Sequence, residues 1–355
     1  MKTDKLHSVQ ILRAAAALLV ALFHAQAGFS KEFGTGSPTQ DYLFAFGAVG
    51  VHIFFVISGL VMVVTTAKDQ FSPGSFIWRR LLRIYPIYWI CAAIYVVVYW
   101  LLGQPYQLGA GEILGSLLLL PNEASLIIGP GWTLAYEMYF YLVFALFMSL
   151  TLSGISLGKA LIALAATFLV LIGSRLFFDF SSYALNLMTN PLLVEFMAGT
   201  LIGWLFVRDR IAASAGWALP AGIAAYGAAI AIGYDNASHV VTMGFGSVLL
   251  VLGAVAFEKH HGLARSFEAF SRFGDGSYAL YLIHIVVIFV ALRLAAFAEV
   301  GSSVSPIVMA FALSPLLVWL GQRLHYRIEI PIMLFLKNRS QTLFAQRVSK
   351  TPSAR

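Results

Sequence analysis

The sequence places ionisable side chains inside long apolar stretches, where burial is costly unless a partner or a chemical task offsets it. Arg13 and His24 are eleven residues apart in the first of these stretches. On a helix that turns about 100° per residue, the two side chains share one face and lie about 16 Å apart along the axis. A buried imidazole can act as a general base near neutral pH, but a structural histidine has the same sequence pattern. Both interpretations of His24 stay open at this point.

Ionisable residues also occur deep inside four later apolar stretches: His52, Glu137, Glu195 and His284. Glu137 lies among aromatic residues and needs a partner. We expect His24 or His52 to supply it, because all three fall in the outer half of their stretches. Titratable groups contributed by five helices predict that one internal cavity brings them together, which is the usual sign of a functional site.

Two further motifs lie between these residues. Arg79, Arg80 and Arg83 come at the start of the third apolar stretch, where they either fix the membrane topology or clamp a phosphate group. Residues 47–59 carry glycines at 47, 50 and 59, which predict close approach to a neighbouring helix. Ser58, in the same stretch, can bond either to a neighbouring helix or to a ligand.

The elements that must position these residues are membrane-spanning helices. Of the 355 residues, 60% are hydrophobic and 11% are charged, and the mean hydropathy is +0.83, which excludes a water-soluble protein. The apolar runs predict an all-α polytopic membrane protein with about ten helices. We expect the spans at residues 9–28, 43–66, 84–102, 133–152, 158–178, 188–207, 215–234, 239–257, 277–298 and 304–322.

The charge distribution predicts the orientation of these helices. The net charge is +7, and all but three of the 23 lysines and arginines fall on one side of the predicted spans. The exceptions are Lys31, Arg175 and Arg293. Basic residues collect on the cytoplasmic side of membrane proteins, so both termini are expected in the cytoplasm. This topology accounts for the basic balance without a nucleic-acid partner.

The remaining sequence predicts one domain and little else. Residues 1–340 form a single transmembrane domain, and residues 341–355 form a short basic cytoplasmic tail. Apolar segments 113–120 and 124–128 are too short to cross, so they predict a re-entrant or interfacial piece that ends at Gly129-Pro130-Gly131. The single cysteine, Cys91, excludes a disulfide framework, and no zinc-binding spacing is present.

Together these motifs resemble the acyltransferase 3 family of integral-membrane acyltransferases over roughly residues 7–332. Arg13-x10-His24 resembles the family's first-helix pair, residues 47–59 its glycine-rich stretch, and Arg80-x-x-Arg83 its arginine motif. Residues 132–141, WTLAYEMYFY, resemble its WTL-x-x-E-x-x-FY signature. Weaker later blocks match at residues 190–199, 277–284 and 329–331. His52 and Met138 depart from the family pattern, which often carries acidic residues there.

The resemblance implies a ten-helix enzyme that takes its acyl group from a coenzyme A thioester, commonly acetyl-CoA, without a metal. The acceptor it implies is a hydroxyl of a surface polysaccharide or lipid-linked sugar. The motif sequences are most similar to those of the exopolysaccharide O-acetyltransferase branch, whose members reside in the bacterial inner membrane. We therefore expect Arg13, Arg80 and Arg83 to hold the coenzyme A phosphates, with Ser58 near the thioester.

The same resemblance suggests roles for the other candidates. His24 would be the catalytic base and Glu137 would orient its imidazole, either in direct transfer or through an acetyl-His24 intermediate. Contacts to the acceptor are expected from Trp132, Tyr136, Tyr139, His52, Glu195 and His284. The aromatic members of this set also fit an interfacial belt.

Two other functions remain open on the sequence. A glycolipid or oligosaccharide transporter, such as a flippase, would also have ten helices and intramembrane charges. The missing repeat symmetry and the Arg13–His24 pair count against it. A non-catalytic subunit of a polysaccharide synthase is the third possibility, and it would tolerate loss of His24.

Overall fold

The computed structural model describes residues 6–67, 71–121, 126–234 and 239–349, and within these ranges the chain is helical without strands. The helices are α1 (His7–Phe33), α2 (Pro38–Ala45), α3 (Val49–Thr66), α4 (Pro73–Leu101), α5 (Ala110–Leu117), α6 (Trp132–Met148), α7 (Leu157–Gly173), α8 (Tyr183–Met188), α9 (Leu193–Val207), α10 (Ala218–Ile232), α11 (Phe245–His261), α12 (Arg265–Phe270), α13 (Ser277–Phe297), α14 (Pro306–Leu324) and α15 (Ile330–Ser349).

Ten helical stretches of the described chain are long and apolar enough to cross a membrane, which confirms the predicted all-α, ten-span architecture. Their bounds differ from the prediction by five residues or more at five places, of which two are the end of the first stretch at Phe33 and the start of the sixth at Tyr183. The second stretch begins at Pro38 and the third at Pro73, because Ser37 and Ser72 cap the helix N-termini and proline occupies the first helical position. The tenth continues to Arg339.

Helix α15 runs to Ser349, so the backbone of residues 341–349 continues the last helix. The division into a transmembrane domain and a basic cytoplasmic tail stays a prediction. Residues 350–355 lie outside the described part of the chain.

Glycines allow the backbone of α3 to contact the backbones of two neighbouring helices, as their spacing predicted. A Cβ atom on Gly50 would lie 2.2 Å from the Ala16 carbonyl oxygen of α1. A Cβ on Gly59 would lie 2.1 Å from the Phe196 oxygen of α9, and one on Gly199 would lie 2.0 Å from the Val56 oxygen of α3. Helix α3 therefore occupies the centre of the bundle, with its two neighbours fixed by small residues.

The first turn of α1 is capped by a distant helix. Leu6, at the N-cap position, makes no side-chain hydrogen bond to this turn. Glu258 of α11 accepts hydrogen bonds from the backbone N–H groups of His7, at 2.9 Å, and Ser8, at 2.8 Å, and from the Ser8 hydroxyl. These bonds satisfy donors that a helix leaves unpaired at its start, and they join the first and eighth spans.

The segment before α6 folds back into the protein. Ser116 of α5 is fully buried, its carbonyl accepts from the Tyr88 hydroxyl at 2.8 Å, and its hydroxyl accepts from the Ile127 N–H at 3.0 Å. Pro130, in the short 3-10 turn Gly129–Gly131, is buried as well. This arrangement agrees with a re-entrant piece, although residues 122–125 lie outside the described chain. Helix α6 consequently starts inside the bundle.

Candidate active site

A cavity lies between α1, α3, α4, α6 and α13, and side chains of all five helices line it. Most of its polar lining comes from Arg13, Ser58, Arg80, Arg83, Thr133, Glu137, Tyr141, Tyr278 and Tyr281. The cavity thus brings together five of the residues that the sequence singled out: Arg13, Ser58, Arg80, Arg83 and Glu137.

Three guanidinium groups face this cavity without acidic partners. Among the described residues, no carboxylate lies within ion-pair distance of Arg13, Arg80 or Arg83. Arg80 is 8% exposed, its Nη2 donates to the Thr65 hydroxyl at 3.1 Å, and its guanidinium carbon lies 5.2 Å from the ring centres of both Phe76 and Tyr141. Aromatic faces and hydroxyls hold such a group while leaving most of its donors for an anionic ligand.

Glu137 has partners that differ from the expected ones. It accepts a hydrogen bond from the Ser58 hydroxyl at 2.8 Å and another from the Tyr141 hydroxyl. The predicted contact between Glu137 and His24 is wrong, because α6 begins at a buried turn and carries Glu137 deep, to the level of the arginines. Glu137 therefore belongs to the guanidinium cavity.

His24 meets His284 instead. The Nδ1 atom of His24 lies 3.2 Å from Nε2 of His284 and 3.0 Å from the Val20 carbonyl oxygen. His284 is fully buried, and its Nδ1 donates to the Tyr281 carbonyl at 2.7 Å. Both ring nitrogens of His284 are thus engaged by protein groups, and the contact of His284 with the acceptor stays a prediction.

Tyr281 connects the imidazole pair with the cavity. Its ring lines the cavity and its centre lies 5.7 Å from that of His284. Its hydroxyl lies 2.9 Å from the Thr133 hydroxyl and 3.2 Å from the Pro130 carbonyl oxygen, so the buried turn before α6 fixes it. Tyr281 therefore contacts both the guanidinium cavity and the imidazole pair.

His52 and Glu195 form a separate buried pair. His52 Nδ1 lies 2.5 Å from Glu195 Oε1, and the two side chains are 5% and 2% exposed. Glu195 Oε2 has no hydrogen-bond partner in the described structure, and the ring of His239 lies 5.2 Å from that of His52. The prediction of a single cavity for all the titratable groups is therefore wrong. They form three clusters, because α3 presents Ser58 and His52 to different neighbours.

The aromatic candidates divide in a similar way. Trp132 is 36% exposed and meets the Tyr136 ring edge-on at 5.7 Å. The Tyr136 hydroxyl accepts from Asn190 at 3.0 Å. Tyr139 packs against Phe168 of α7 and lies on a different face of α6 from the cavity. Trp132 and Tyr136 do not line the cavity either, and a contact of these three residues with the acceptor stays a prediction.

Thr133, Tyr141, Tyr278 and Tyr281 line the cavity but were not among the sequence-based candidates. Their spacing carries a signal that could have found them. Thr133, Glu137 and Tyr141 recur every four residues and so form one stripe on α6. Tyr278, Tyr281 and His284 recur every three residues on α13 and form a second stripe. Within the described residues, no group of three or more metal-ligating side chains is found.

Comparison with known proteins shows the family to which the chain belongs. The sequence profile of the acyltransferase domain family matches residues 6–322. Exopolysaccharide production protein ExoZ of Rhizobium meliloti (strain 1021) is 32% identical over 264 residues, covering 70% of this chain and 79% of ExoZ. Acyltransferase MdmB of Streptomyces mycarofaciens is 27% identical over 371 residues, covering 94% of this chain and 93% of MdmB.

A third similar protein is Protein 2 in the picA locus of Rhizobium radiobacter, 27% identical over 159 residues that cover 38% of this chain and 78% of that protein. No solved structure matches the chain. The family profile covers nearly the whole bundle, including the guanidinium cavity and the His24–His284 pair. The chain therefore belongs to the acyltransferase 3 family and is a multi-pass membrane acyltransferase.

Proposed function

We propose that the protein transfers an acetyl or other short acyl group from a coenzyme A thioester to a hydroxyl of an exopolysaccharide or its lipid-linked precursor. The observation that carries the proposal is the intramembrane cavity with three guanidinium groups and no acidic ion-pair partner in the described chain. Support for the acceptor comes from the name of ExoZ, a relative that the chain covers over 79% of its length.

Arg13, Arg80 and Arg83 would bind the phosphates of coenzyme A. Guanidinium forks match phosphate oxygens in shape and charge, and a site away from bulk water strengthens the attraction. Ser58 and Glu137 would then line the path of the pantetheine arm, which extends past Tyr281 toward His24. The Arg13-to-His24 separation of about 16 Å along α1 suits a long donor that is anchored at one end and reacts at the other.

His24 would take the proton of the acceptor hydroxyl. The hydroxyl oxygen attacks the thioester carbonyl, the carbon–sulfur bond breaks, and the proton passes to the leaving thiolate to give free coenzyme A. Trp132 and Tyr136 would provide an aromatic surface for the sugar. His52 and Glu195 stay in the proposal as an acceptor contact, because Glu195 Oε2 is an unpaired hydrogen-bond acceptor.

The proposed setting is the bacterial inner membrane with both termini in the cytoplasm, supported by the distribution of lysine and arginine. The arginine cavity would then receive the donor from the cytoplasmic side, since Arg13 and Arg80 lie in the N-terminal parts of α1 and α4.

The test compares the O-acetyl content of surface polysaccharide in cells that carry wild type, His24→Ala, His261→Ala or no protein, at matched expression. His261 is an exposed residue at the end of α11 and serves as the control. We expect acetylation with wild type and His261→Ala and its loss in the other two strains. Full acetylation in the His24→Ala and null strains would contradict the proposal.

A second measurement separates the enzyme from a transporter. Membrane vesicles that contain the protein should transfer or slowly hydrolyse the acetyl group of radiolabelled acetyl-CoA, and His24→Ala vesicles should not. A flippase would leave acetyl-CoA unchanged in both preparations.

A further inference from the structure

Two imidazole rings meet at the deep end of the site, between α1 and α13. The rings of His24 and His284 have centres 5.0 Å apart and planes inclined by 44°, and Nδ1 of His24 lies 3.2 Å from Nε2 of His284. His284 is fully buried, whereas His24 is partly exposed. This geometry makes His284 a fixed neighbour behind the ring that is open to a substrate.

The hydrogen-bond partners decide where the protons lie. A carbonyl oxygen only accepts, so the Nδ1 atom of His284, which faces the Tyr281 carbonyl, carries a proton. The Nε2 atom of neutral His284 is then a bare acceptor. Nδ1 of His24 faces both the Val20 carbonyl and this bare nitrogen, so it carries a proton that the two acceptors share.

We propose that His284 is a positioning residue, which fixes His24 as the Nδ1–H tautomer and leaves the His24 Nε2 lone pair free to take the proton of the acceptor hydroxyl. This inference rests on the proposed function. In the reaction, the hydroxyl proton moves to Nε2 as the new ester bond forms and the thioester carbon–sulfur bond breaks. Nε2 then returns the proton to the thiolate, so His284 neither gains nor loses a proton.

This role replaces the one that sequence reasoning gave to Glu137. A second imidazole is a neutral acceptor, and neutral groups are cheaper to bury than a carboxylate among rings such as Phe23, which lies 4.7 Å from His24. The Tyr281 carbonyl and the Val20 carbonyl supply the remaining contacts from the backbone. The catalytic ring is thereby oriented without an ion pair.

Two amide substitutions at position 284 separate the positioning role from packing. In His284→Gln, the end of the side chain reaches the place of Nε2 and its oxygen can accept from His24. In His284→Asn, the shorter side chain reaches only the place of Nδ1, so it can donate to the Tyr281 carbonyl but offers His24 no acceptor. His261→Asn, at an exposed site, is the matched control.

The variants are purified in detergent at full length and assayed for acetyl transfer from acetyl-CoA. We expect kcat to fall about tenfold in His284→Asn and to stay within about threefold of wild type in His284→Gln. KM for acetyl-CoA should change less than about twofold in both, because the arginines are untouched. A His284→Asn enzyme with wild-type kcat would overturn the proposal, as would equal losses in both variants at unchanged thermal stability.

A second measurement needs neither substrate nor turnover. Diethyl pyrocarbonate acylates the lone-pair nitrogen of a histidine, and mass spectrometry reports modification at His24. We expect the rate at His24 to fall about fivefold in His284→Asn and to be restored in His284→Gln. Equal rates in wild type and His284→Asn would refute the positioning role. If no form of the protein transfers an acetyl group but this pattern holds, the proposed function fails and the tautomer assignment stands.

Discussion

At the scale of single residues, two aromatic rings and a hydroxyl hold Arg80 at the cavity. Arg80 lies between the faces of Phe76 and Tyr141, and its guanidinium group donates a hydrogen bond to the Thr65 hydroxyl. Its neighbour Arg79 is exposed on the other side of α4. The two residues have the same charge and adjacent positions, so they form a matched pair for testing what the cavity contributes.

Arg80→Ala is expected to raise KM for the acyl-CoA donor by about 10- to 100-fold, since it removes a charge-assisted contact to phosphate in a buried site. Arg79→Ala should change KM less than about twofold. Steady-state kinetics with purified enzyme measure both values. Equal effects of the two substitutions would mean that the arginines act only as topology determinants.

Tyr141 donates a hydrogen bond that helps to satisfy the Glu137 carboxylate in the cavity. Its hydroxyl and that of Ser58 satisfy the carboxylate, which leaves the arginines free for a ligand. Tyr141→Phe keeps the ring beneath Arg80 but removes one donor. The carboxylate should then compete for a guanidinium group and raise KM for the donor about fivefold.

The double variant Tyr141→Phe, Glu137→Gln tests this explanation. The amide carries no charge and cannot form an ion pair with arginine, so KM should return toward the value of the Glu137→Gln single variant. An unchanged KM in Tyr141→Phe would show that the Tyr141 hydroxyl does not keep the Glu137 carboxylate from pairing with the arginines.

At the scale of helices, the contact between α3 and α9 leaves no room for a side chain. Gly199→Ala would set a Cβ atom 2.0 Å from the Val56 carbonyl oxygen, so one of the helices must move. We expect the substitution to destabilise the fold by about 1–3 kcal/mol or more. Its effect should appear as a lower midpoint of thermal unfolding in detergent.

Gly227→Ala is the control for this prediction. Gly227 lies within α10, and nothing lies within 4 Å of the place where its Cβ would stand. Alanine is a better helix former than glycine, so the unfolding midpoint should stay the same or rise slightly. Similar losses in both variants would place the cost in the helix itself and not in the α3–α9 contact.

The helices were predictable for reasons that do not extend to their partners. Apolar run length fixed ten spans, and the small residues Gly50 and Gly59 indicated where α3 packs closely. The partner of Glu137 was not predictable, because it depends on the depth at which α6 begins. That depth is set by tertiary contacts of a turn, in which Tyr281 and Thr133 hold Pro130.

At the scale of the whole molecule, the orientation in the membrane can be tested with one reagent. The single cysteine, Cys91, is fully buried, so the wild-type protein should react little with a membrane-impermeant maleimide. Cysteines introduced by Lys31→Cys and Arg265→Cys occupy exposed positions on opposite predicted sides. In spheroplasts, which lack the outer membrane but keep the inner membrane intact, only the Lys31→Cys protein should be labelled.

Labelling of Arg265→Cys should appear after the membrane is permeabilised. The reverse pattern would overturn the predicted orientation, and with it the entry of the donor from the cytoplasm. Labelling of both residues before permeabilisation would indicate that the membrane leaks. The control for leakage is the labelling of a cytoplasmic marker protein in cells that carry the wild-type protein.

The sequence predicted some residues of the candidate site but not their partners. Charges inside apolar stretches identified Arg13 and Glu137, and the arginine cluster before the third stretch identified Arg80; the bundle brings all three into one cavity. The assignment of partners failed because helices of equal hydropathy can be arranged around α3 in many ways. The His52–Glu195 and His24–His284 pairs depend on which helices are neighbours, and hydropathy carries no information on that point.

The cap on α1 has a consequence for biosynthesis. The first helix to leave the ribosome depends on Glu258 to satisfy its N-terminal donors, and the two are separated by about 250 residues of chain. At a synthesis rate of roughly 5–20 residues per second, Glu258 is made about 12–50 seconds after the start of α1. The interval between His24 and His284 is slightly longer. The first helix is therefore made long before Glu258 can cap its first turn, and His24 meets His284 only when the ninth span has been made.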